Sequence, residues 1–377
     1  MVTYPSDWKT NKIIEVADIF DNRRIPVTKN QRKPGNTPYY GANGIQDYVS
    51  GYTHDGEFVL IAEDGANDLQ NYPVTYASGK IWVNNHAHVL AGVNSKADTR
   101  FLAYLLKKVD FAAVLVGGTR AKLNGKTLKN IEVILPERLK EQQAIASALS
   151  DFDEHIDNLT ELIEKKKAIR DGALEDLVSG RTRLDGFNGE WINVKLSDFA
   201  QINPSSALPE VFKYVDLESV KGITLMGWRV ERKETAPSRA KRLAQFGDIF
   251  FQTVRPYQRN NYLFELSDED VVFSTGYAQL RTKNDARFLF LLLRQDDFVN
   301  EVLDNCTGTS YPAINPSKLS DIKIYVPIDK NEQQAIAEVL TAMDEEIESL
   351  KIEKDKMIQI KEGAMDDLLT GRVRLKV

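Results

Sequence analysis

The 377-residue sequence is almost without cysteine, with Cys306 as its single thiol, and it contains no long apolar run. One cysteine excludes a disulfide framework and fits a reducing cytoplasm, where we expect Cys306 to be a small buried side chain. No segment approaches the roughly 20 apolar residues of a membrane-spanning helix. The sequence therefore predicts a globular cytoplasmic protein without a membrane partner.

Motifs for catalysis and for cofactor binding are missing as well. Segment 117–127 resembles a phosphate-binding loop, but six residues separate Gly118 from Gly125 where the Walker motif has four. Neither a G-x-G-x-x-G motif nor the Pro-Pro-aromatic motif of an amino-methyltransferase occurs. His86 and His88 have no ligand cluster beside them in the sequence, so core or surface roles are favoured over metal binding. We expect no catalytic residue, no metal and no cofactor.

The net charge of −6 is unevenly distributed along the chain. Residues 136–185 and 328–377 each carry a net charge of −4, whereas residues 1–135 carry +3 and residues 186–327 carry −1. An acidic protein is at first sight a poor ligand for nucleic acid. Because the acidity lies in two short segments, the two larger segments can still present basic loops.

An internal repeat organises the chain. Residues 141–184 align without gaps on residues 332–375, and 21 of the 44 aligned positions are identical at a constant offset of 191 residues. The same offset aligns KNIEVILP with SDIKIYVP, and Trp8 and Trp191 mark the two starts at a slightly shorter spacing. Self-similarity at a fixed period indicates a duplicated unit. Each half is a larger domain followed by a conserved tail.

Both tails have the pattern of long helices. Their apolar residues recur at alternating steps of four and three, which is an a/d heptad seam with charged residues outside it. Gly180 and Gly371 follow the last apolar pairs as helix-ending residues. About 38 residues at ~1.5 Å per residue predict rods of roughly 57 Å. The seam positions are Ile145, Leu149, Phe152, Ile156, Leu159 and Ile163 in the first tail and Ile336, Leu340, Met343, Ile347 and Leu350 in the second.

Two arrangements would bury these seams. The tails can pack against each other as an antiparallel coiled coil, which would relate the two halves by a pseudo-twofold axis, or each tail can lie as a surface helix on its own domain. The narrow seams and the unusual length favour the coiled coil. The larger domains have short β-branched runs separated by Gly, Asn and Pro, with one apolar helix each at 101–109 and 287–295. The predicted fold is α/β, with two mixed α/β domains at 1–136 and 186–327 and two spacer helices at 137–185 and 328–377.

The repeat and several loop motifs resemble the specificity subunits of type I restriction–modification systems. EQQAIA begins each tail, and SGRTRL or TGRVRL ends it. In the first domain NTPYYGANGIQDYV, GEFVLIAEDGA, KIWVNNHAHVL and GGTRAKLNGKTLKNIEVILP resemble target-recognition domains of that family. In the second domain GDIFFQTVRPYQRNNYLF and GTSYPAINPSKLSDIKIYVP resemble a different subtype, and PYYGANGI has no counterpart there. The resemblance covers nearly the whole chain.

The resemblance implies a protein that binds double-stranded DNA and catalyses nothing itself. In that family each recognition domain reads one half of a bipartite target, and the helices hold the halves apart. Two methyltransferase subunits dock on the helices, and motor–nuclease subunits join them, so adenine methylation and ATP-dependent cleavage would come from these partners. Two different domains imply an asymmetric target. The alternatives are a fused restriction–methylation enzyme, which would need motifs that are absent, and a coiled-coil scaffold that does not contact DNA.

Loop residues with hydrogen-bonding or aromatic side chains are the candidates for DNA contact. Arg and Lys can bind guanine or phosphate, Asn and Gln can pair with adenine, and aromatic rings can pack on sugars or bases. Asn124 has a counterpart in Asn315 at the repeat offset, which favours a structural role for both. The candidates are Tyr39, Tyr40, Asn43, Arg120, Lys122 and Asn124 in the first domain, and Arg255, Tyr257, Gln258, Arg259, Asn260, Ser310 and Tyr311 in the second.

Overall fold

A computed structural model describes residues 4–115 and 122–376 of the chain. The chain divides into two compact units: unit 1 contains residues 1–160 and 352–377, and unit 2 contains residues 161–351. Each unit therefore holds one of the predicted domains together with about half of each tail. Within the described ranges, no helix is both long enough and apolar enough to cross a membrane.

Unit 1 is a mixed α/β domain that leads into the first long helix. Its helices are α1 (Ile13–Val16), α2 (Thr99–Lys107), α3 (Phe111–Val114) and α4 (Gly125–Asn130), and α5 (Leu139–Val178) begins in this unit; short 3-10 helices cover Asp21–Arg23 and Lys29–Gln31. Its strands are β1 (Trp8–Lys12), β2 (Ala17–Ile19), β3 (Pro34–Gly41), β4 (Gly44–Val49), β5 (His54–Ala62), β6 (Val74–Val83), β7 (Ala87–Gly92) and β8 (Glu132–Pro136).

The centre of unit 1 is a six-stranded sheet in the order β2-β7-β5-β6-β3-β4. Neighbouring strands are antiparallel except β3 and β6, which are parallel. The predicted apolar helix is α2, which contacts β5, β6 and β7 and buries Phe101 and Leu102 completely. It begins at Asp98, whose carboxylate accepts a hydrogen bond from the Phe101 amide at 2.8 Å and so caps the helix.

Unit 2 repeats this plan with different strands. Its helices are α6 (Leu196–Phe199), α7 (Ala286–Leu292), α8 (Asp296–Asp304) and α9 (Pro316–Asp321), and α10 (Lys330–Leu368) begins in this unit; a short 3-10 helix covers Pro256–Gln258. Its strands are β9 (Trp191–Lys195), β10 (Ala200–Ile202), β11 (Val211–Val215), β12 (Val220–Lys221), β13 (Thr224–Leu225), β14 (Arg229–Arg232), β15 (Ala240–Leu243), β16 (Ile249–Gln252), β17 (Tyr262–Leu263), β18 (Val271–Ser274), β19 (Tyr277–Thr282) and β20 (Lys323–Pro327).

Eight strands of unit 2 form two four-stranded sheets instead of one larger sheet, and the other four form two separate pairs, β9 with β20 and β12 with β13. The orders of the four-stranded sheets are β10-β19-β16-β17 and β14-β11-β18-β15. Fully buried Phe250 and Phe273 stack with ring centroids 3.6 Å apart, and they belong to different sheets. Helix α8 was not predicted, because its buried residues Phe298 and Val302 stand in a mostly polar segment whose period is visible only over two turns.

Repeat-related pairs of strands lead into the two long helices. In unit 1, β1 pairs with β8 and brings Trp8 opposite Pro136; in unit 2, β9 pairs with β20 and brings Trp191 opposite Pro327. Gly180 and Gly371 both have positive φ, of 74° and 70°, just after the ends of α5 and α10. This is the backbone conformation that glycine adopts most easily, so the predicted helix ends are confirmed.

Helices α5 and α10 are 40 and 39 residues long and pack antiparallel, as predicted. In each unit, a residue later in α5 pairs with a residue earlier in α10, which is the pattern of antiparallel helices. The ion pairs that record this direction are Asp153–Lys361 and His155–Glu353 in unit 1, and Lys166–Glu346 and Arg170–Asp344 in unit 2.

The ends of the helices also pack on the domains. Ile145 and Leu149 of α5 lie in the core of unit 1 together with Met365 and Leu368 of α10. Ile336 and Leu340 of α10 lie in the core of unit 2 together with Leu177 and Val178 of α5. The two arrangements that the sequence left open therefore occur together, because each helix packs on a domain core near its ends as well as on the other helix.

Gln142 and Gln333, which are equivalent in the internal repeat, attach each long helix to its domain. Buried Gln142 accepts a hydrogen bond from the Asp98 amide at 2.8 Å and donates to the Pro136 carbonyl at 2.8 Å. Buried Gln333 accepts from the Asp285 amide at 3.1 Å and donates to the Pro327 carbonyl at 2.8 Å. The second residue of each EQQ segment thus orients the start of the helix against the capping residue of the domain helix.

Candidate nucleic-acid interface

The loop between β16 and β17 in unit 2 carries five of the candidate residues. Buried Gln252, the last residue of β16, organises this loop from inside. Its side-chain amide donates to Oε1 of Gln258 at 2.8 Å, and its Oε1 accepts from the Asn260 amide at 3.1 Å. Sequence reasoning missed Gln252, whose only signal is a polar residue inside an apolar strand. The Gln252 side chain therefore links two residues of the loop to the end of β16.

Arg255 and Tyr311 are brought together from two segments that are distant in sequence. The Arg255 amide donates to the Pro312 carbonyl at 2.7 Å, and the Arg255 guanidinium lies 4.2 Å from the centre of the Tyr311 ring. Tyr311 is 64% exposed. Arg255 has a φ of 55°, a left-handed conformation that costs a residue with a Cβ about 1 kcal/mol or more. Strained non-glycine residues of this kind are concentrated at ligand-binding sites.

The remaining candidates of unit 2 lie around this pair. Tyr257, Gln258 and Ser310 are exposed, whereas Asn260 is half-buried. The side chain of Asn260 accepts a hydrogen bond from the Gly222 amide at 2.8 Å. The surface therefore offers a guanidinium, amides and two exposed tyrosines, which are groups that can contact base edges, phosphates and sugars.

Arg259 points to a different part of unit 2. Its guanidinium donates to the Arg294 carbonyl at 3.2 Å and pairs with Asp296 at 2.6 Å. It lines a groove of about 1190 Å³ together with residues of α5, α8 and β20, among them Asp171 and Tyr325. Arg259 thus fastens the loop to the start of α8, and in this structure its guanidinium is not presented beside Arg255.

In unit 1, the two candidate tyrosines are buried. Tyr39 is 1% exposed; its hydroxyl donates to the Val27 carbonyl at 3.2 Å, and the Arg32 guanidinium lies 4.1 Å from its ring centre. Tyr40 lies in the core of the sheet, and burial raises the pKa of its hydroxyl. Tyr39 holds the loop at Val27 and Arg32, Tyr40 packs in the core of the sheet, and neither is presented to a ligand in this structure.

Other candidates of unit 1 hold loops together. Asn43 donates to the Gly65 carbonyl at 2.9 Å and accepts from the Asn67 amide at 3.0 Å. Lys122 pairs with Glu63 at 3.0 Å. Asn124 caps α4 by accepting from the Thr127 amide at 2.9 Å, just as Asn315 caps α9 in unit 2. Arg120 lies outside the described residues.

His88 is the centre of a buried charge cluster. Its side chain is 2% exposed, its Nδ1 lies 2.6 Å from Asp21 and its Nε2 lies 2.7 Å from the Leu123 carbonyl. Burial lowers the pKa of His88, but the hydrogen bonds to Asp21 and Leu123 outweigh it, so the pKa is raised. Asp21, Glu63 and His88 come within 4.8 Å of one another. Both ring nitrogens face oxygen acceptors, and a ring that donates from both nitrogens has no lone pair for a metal.

An exposed basic and aromatic surface of unit 1 was missed in the sequence analysis. The segment KNQRK at 29–33 lies beside the β3–β4 hairpin, where the Arg32 guanidinium pairs with Asp47 at 3.2 Å. Lys80 of β6 lies 5.0 Å from the ring centre of exposed Tyr52. The signal was present in the sequence as three cations interleaved with two amides. The exposed side chains of this surface are Lys29, Asn30, Gln31, Lys33, Tyr48, Tyr52 and Lys80.

The described part of the chain thus contains two mixed α/β domains, each with polar loops and each followed by a long helix. A family model described as "Type I restriction modification DNA specificity domain" matches residues 5–168 and again residues 188–360. These matches cover most of the chain, which therefore belongs to the family of type I restriction–modification DNA specificity domains and contains two copies of the domain. The predicted specificity subunit is confirmed, and with it a DNA-recognising protein that is not itself an enzyme.

Individual relatives agree with this assignment. A type I restriction enzyme specificity subunit of Haemophilus influenzae is 51% identical over 130 residues, which are 34% of this chain and 33% of that protein. The MjaVIII specificity subunit of Methanocaldococcus jannaschii is 26% identical over 411 residues, covering 99% of this chain and 94% of that protein. The alignment thus spans a third of the first relative and nearly all of the second.

Solved structures support the fold. The S subunit of a type I restriction–modification system from M. genitalium superimposes with a TM-score of 0.65 at 18% identity, covering 96% of both chains. The HsdS subunit from Thermoanaerobacter tengcongensis superimposes with a TM-score of 0.52 at 15% identity, covering 98% of both chains. The arrangement of two mixed α/β domains with long helices is therefore confirmed over nearly the full length.

Proposed function

We propose that this chain reads an asymmetric, two-part DNA target in the cytoplasm, with one recognition domain on each half. The domains are residues 1–136 and 186–327, and the spacer helices are residues 137–185 and 328–377. The observation that carries the asymmetry is the difference between the domains: one six-stranded sheet in unit 1 and two four-stranded sheets in unit 2. Different scaffolds present different loops, and different loops read different bases.

In unit 2 the reading surface is formed by the Arg255 loop and the Tyr311 loop. Arg255 binds guanine or phosphate, and the exposed rings of Tyr257 and Tyr311 pack on sugars or bases. Gln258, Asn260 and Ser310 supply further hydrogen-bonding groups, although Asn260 also holds Gly222. Arg259 serves the same surface indirectly by fixing the loop to α8.

In unit 1 the reading surface is the basic and aromatic surface beside the β3–β4 hairpin. Lys29, Lys33 and Lys80 bind phosphates, and Tyr48 and Tyr52 pack on the sugar–phosphate backbone. Asn43, Lys122 and Asn124 shape loops of the same unit, and Tyr39 and Tyr40 support it from the core. Arg120 remains a predicted contact on the basis of the sequence alone.

The long helices set the distance between the half-sites and bind two methyltransferase subunits, which motor–nuclease subunits then join. Exposed apolar residues at equivalent positions of the repeat support two equivalent docking sites. Ile169 of α5 is 51% exposed in unit 2, and Ile360 of α10 is 44% exposed in unit 1. The acidic tails favour a protein partner over phosphate groups. Methylation and cleavage are supplied by these partners, and this chain needs no cofactor of its own.

A domain exchange tests this function. Residues 1–136 are replaced by the first domain of another family member, and the variant is produced in cells with its methyltransferase subunits. Mapping N6-methyladenine across the genome should show that one half of the methylated motif changes while the other half and the spacer stay the same. Replacing residues 186–327 is the matched control and should change the other half. A change in both halves after either exchange would contradict two independent readers.

A further inference from the structure

A short hairpin beside the Arg255 loop carries an apolar side chain at its tip. Strands β12 and β13 pair Val220 with Leu225 and Lys221 with Thr224, which leaves Gly222 and Ile223 as the turn. Val220 is buried in the domain core, whereas Ile223 is 46% exposed. A single exposed apolar residue is ordinary on a protein surface. Ile223 is of interest because its hairpin is hydrogen-bonded to the Arg255 loop.

The hairpin is fixed to the loop that we assign to DNA reading. The Gly222 amide donates to Oδ1 of Asn260 at 2.8 Å, and Asn260 is in turn held by buried Gln252. Gly222 has a φ of 61°, which a residue with a Cβ adopts only at an energetic cost. The glycine allows the tight turn from which its amide donates to Asn260. The tip of the hairpin and the Arg255 loop therefore form one continuous surface.

The chemistry of this surface fits DNA. Exposed Lys221 stands on the hairpin next to the turn, and Arg255 lies on the facing loop with Tyr311. Exposed Ile223 on the same hairpin and exposed Tyr257 on the same loop as Arg255 add apolar area to this surface. Proteins that bend or kink DNA combine cations for phosphates with an apolar side chain placed against a base step.

We propose that the Val220–Leu225 hairpin is a DNA-contacting finger, and that Ile223 is a specificity-determining residue that packs against the base step beside the bases read by Arg255. An apolar side chain in this position partly unstacks the step, and flexible pyrimidine–purine steps tolerate this at the lowest cost. Ile223 therefore reads the deformability of the DNA and not its hydrogen-bonding groups. The inference rests on the proposed function, because it requires the Arg255 loop to face DNA.

The test uses the complex of this chain with its methyltransferase subunits and a duplex that carries the motif mapped in cells. Ile223→Asp removes the apolar contact and adds a negative charge near phosphates, so affinity should fall on the order of tenfold. Ile223→Ala removes the contact alone and should flatten the preference among base pairs that flank the second half-site. The first half-site should be read as before by both variants.

Val230→Asp is the matched control. Val230 is 70% exposed on β14, opposite Lys213, whose ammonium group is paired with Asp268 and with Asp270. The cation opposite Val230 is already neutralised by two carboxylates, and β14 belongs to a different sheet from the strands that flank the Arg255 loop, so DNA affinity should not change. Size-exclusion chromatography of each complex and thermal unfolding of each variant accompany the binding measurements.

The outcomes separate the two proposals. Unchanged affinity and base preference for both Ile223 variants overturn the finger, and so does a loss of complex assembly by Ile223→Asp that Val230→Asp does not share. The second result would assign the hairpin to a methyltransferase subunit. Arg255→Ala tests the reading loop separately: if it leaves affinity unchanged, the proposed reading surface of unit 2 is wrong. If it weakens binding while the Ile223 variants do not, only the finger is wrong.

Discussion

Arg183, at the end of the first repeat, forms a bidentate ion pair with Glu332, at the start of the second long helix. Its guanidinium neutralises the Glu332 carboxylate. Nη2 of Arg183 donates to Oε2 of Glu332 at 2.7 Å, Nε donates to Oε1, and the indole of Trp191 donates to Oε1 at 3.2 Å. In unit 1, Arg374 at the end of the second repeat donates to Glu141 at the start of the first long helix, at 2.8 Å. Each repeat therefore supplies the cation for the other repeat's buried carboxylate.

Breaking this pair from the arginine side should destabilise unit 2. Glu332 is 0% exposed, so Arg183→Met leaves a buried carboxylate without its cation. We expect the free energy of unfolding to fall by roughly 3 kcal/mol, near the lower limit for a broken buried pair because Arg183 is partly exposed. Adding Glu332→Gln removes the buried charge and keeps an acceptor for Trp191, so part of the loss should be recovered. Urea denaturation followed by tryptophan fluorescence measures the free energy of unfolding of both variants. If Arg183→Met and the double variant lose the same amount, the buried charge of Glu332 is not the cause of the loss.

Ile169 and Ile360 should each control the binding of one methyltransferase subunit. An aspartate at either exposed position places a charge in an apolar interface, which such interfaces tolerate poorly. Ile169→Asp and Ile360→Asp should each yield complexes with one methyltransferase subunit, and the double variant should bind none. Native mass spectrometry counts the subunits. Ile352→Asp is a control, because Ile352 is exposed but its repeat partner is Glu161. Full stoichiometry in the double variant would exclude these isoleucines from the interface.

Two buried histidines of unit 1 should respond to pH in opposite directions. His88 has a raised pKa, so its contribution to stability is complete below its unfolded value near 6.5 and declines as the pH rises through the folded value. Burial lowers the pKa of His54, so stability is lost as the pH falls through 6.5, where the unfolded chain binds a proton that the folded chain resists.

The corresponding experiment compares thermal unfolding of His88→Gln and His54→Gln with the parent chain between about pH 5 and pH 8. The loss caused by His88→Gln should be largest at the acidic end and shrink as the pH rises. The loss caused by His54→Gln should be largest at the alkaline end and shrink as the pH falls. Parallel pH profiles for the two variants would contradict pKa shifts of opposite direction in His88 and His54.

The length of the helices should determine the spacer of the DNA target. Inserting one heptad after Leu159 and one after Leu350 preserves the a/d seam and lengthens both helices by about 10 Å. At ~3.4 Å per base pair, the gap between the half-sites should grow by up to about three base pairs, less whatever bending of the DNA absorbs. The half-site sequences should stay the same. Mapping methylated adenines measures the gap, and an unchanged spacer with full activity would show that the helices do not set it.

Much of the architecture could be predicted because its causes are local or periodic. The heptad seam predicted the long helices, since apolar residues spaced alternately four and three apart lie on one face of a helix. Gly180 and Gly371 predicted where these helices end, because the residue after a helix often has a positive φ, which favours glycine. The repeat favoured a structural role for Asn124 and Asn315, and the structure shows what that role is: each caps a short helix.

The exposure of the candidate residues could be predicted less well, because exposure depends on which segments of the chain meet. Tyr39 and Tyr40 were chosen as loop aromatics, yet both belong to β3 and point into the packed unit. Arg255 and Arg259 are alike in sequence context, but one stacks on Tyr311 and the other pairs with Asp296. No period or local motif encodes these differences.

The sequence by itself determined that the chain is duplicated, that each half ends in a long amphipathic helix, and that two unlike domains precede these helices. These features depend on spacing and composition, which a linear sequence records directly. Only the tertiary structure decided that Arg183 pairs with Glu332 and that Arg374 pairs with Glu141. Both arginines belong to the motif that ends each repeat, and both glutamates begin the motif that starts it, so local chemistry allows either pairing. The antiparallel packing of α5 and α10 brings the end of each repeat to the start of the other, and that long-range contact selects the partner.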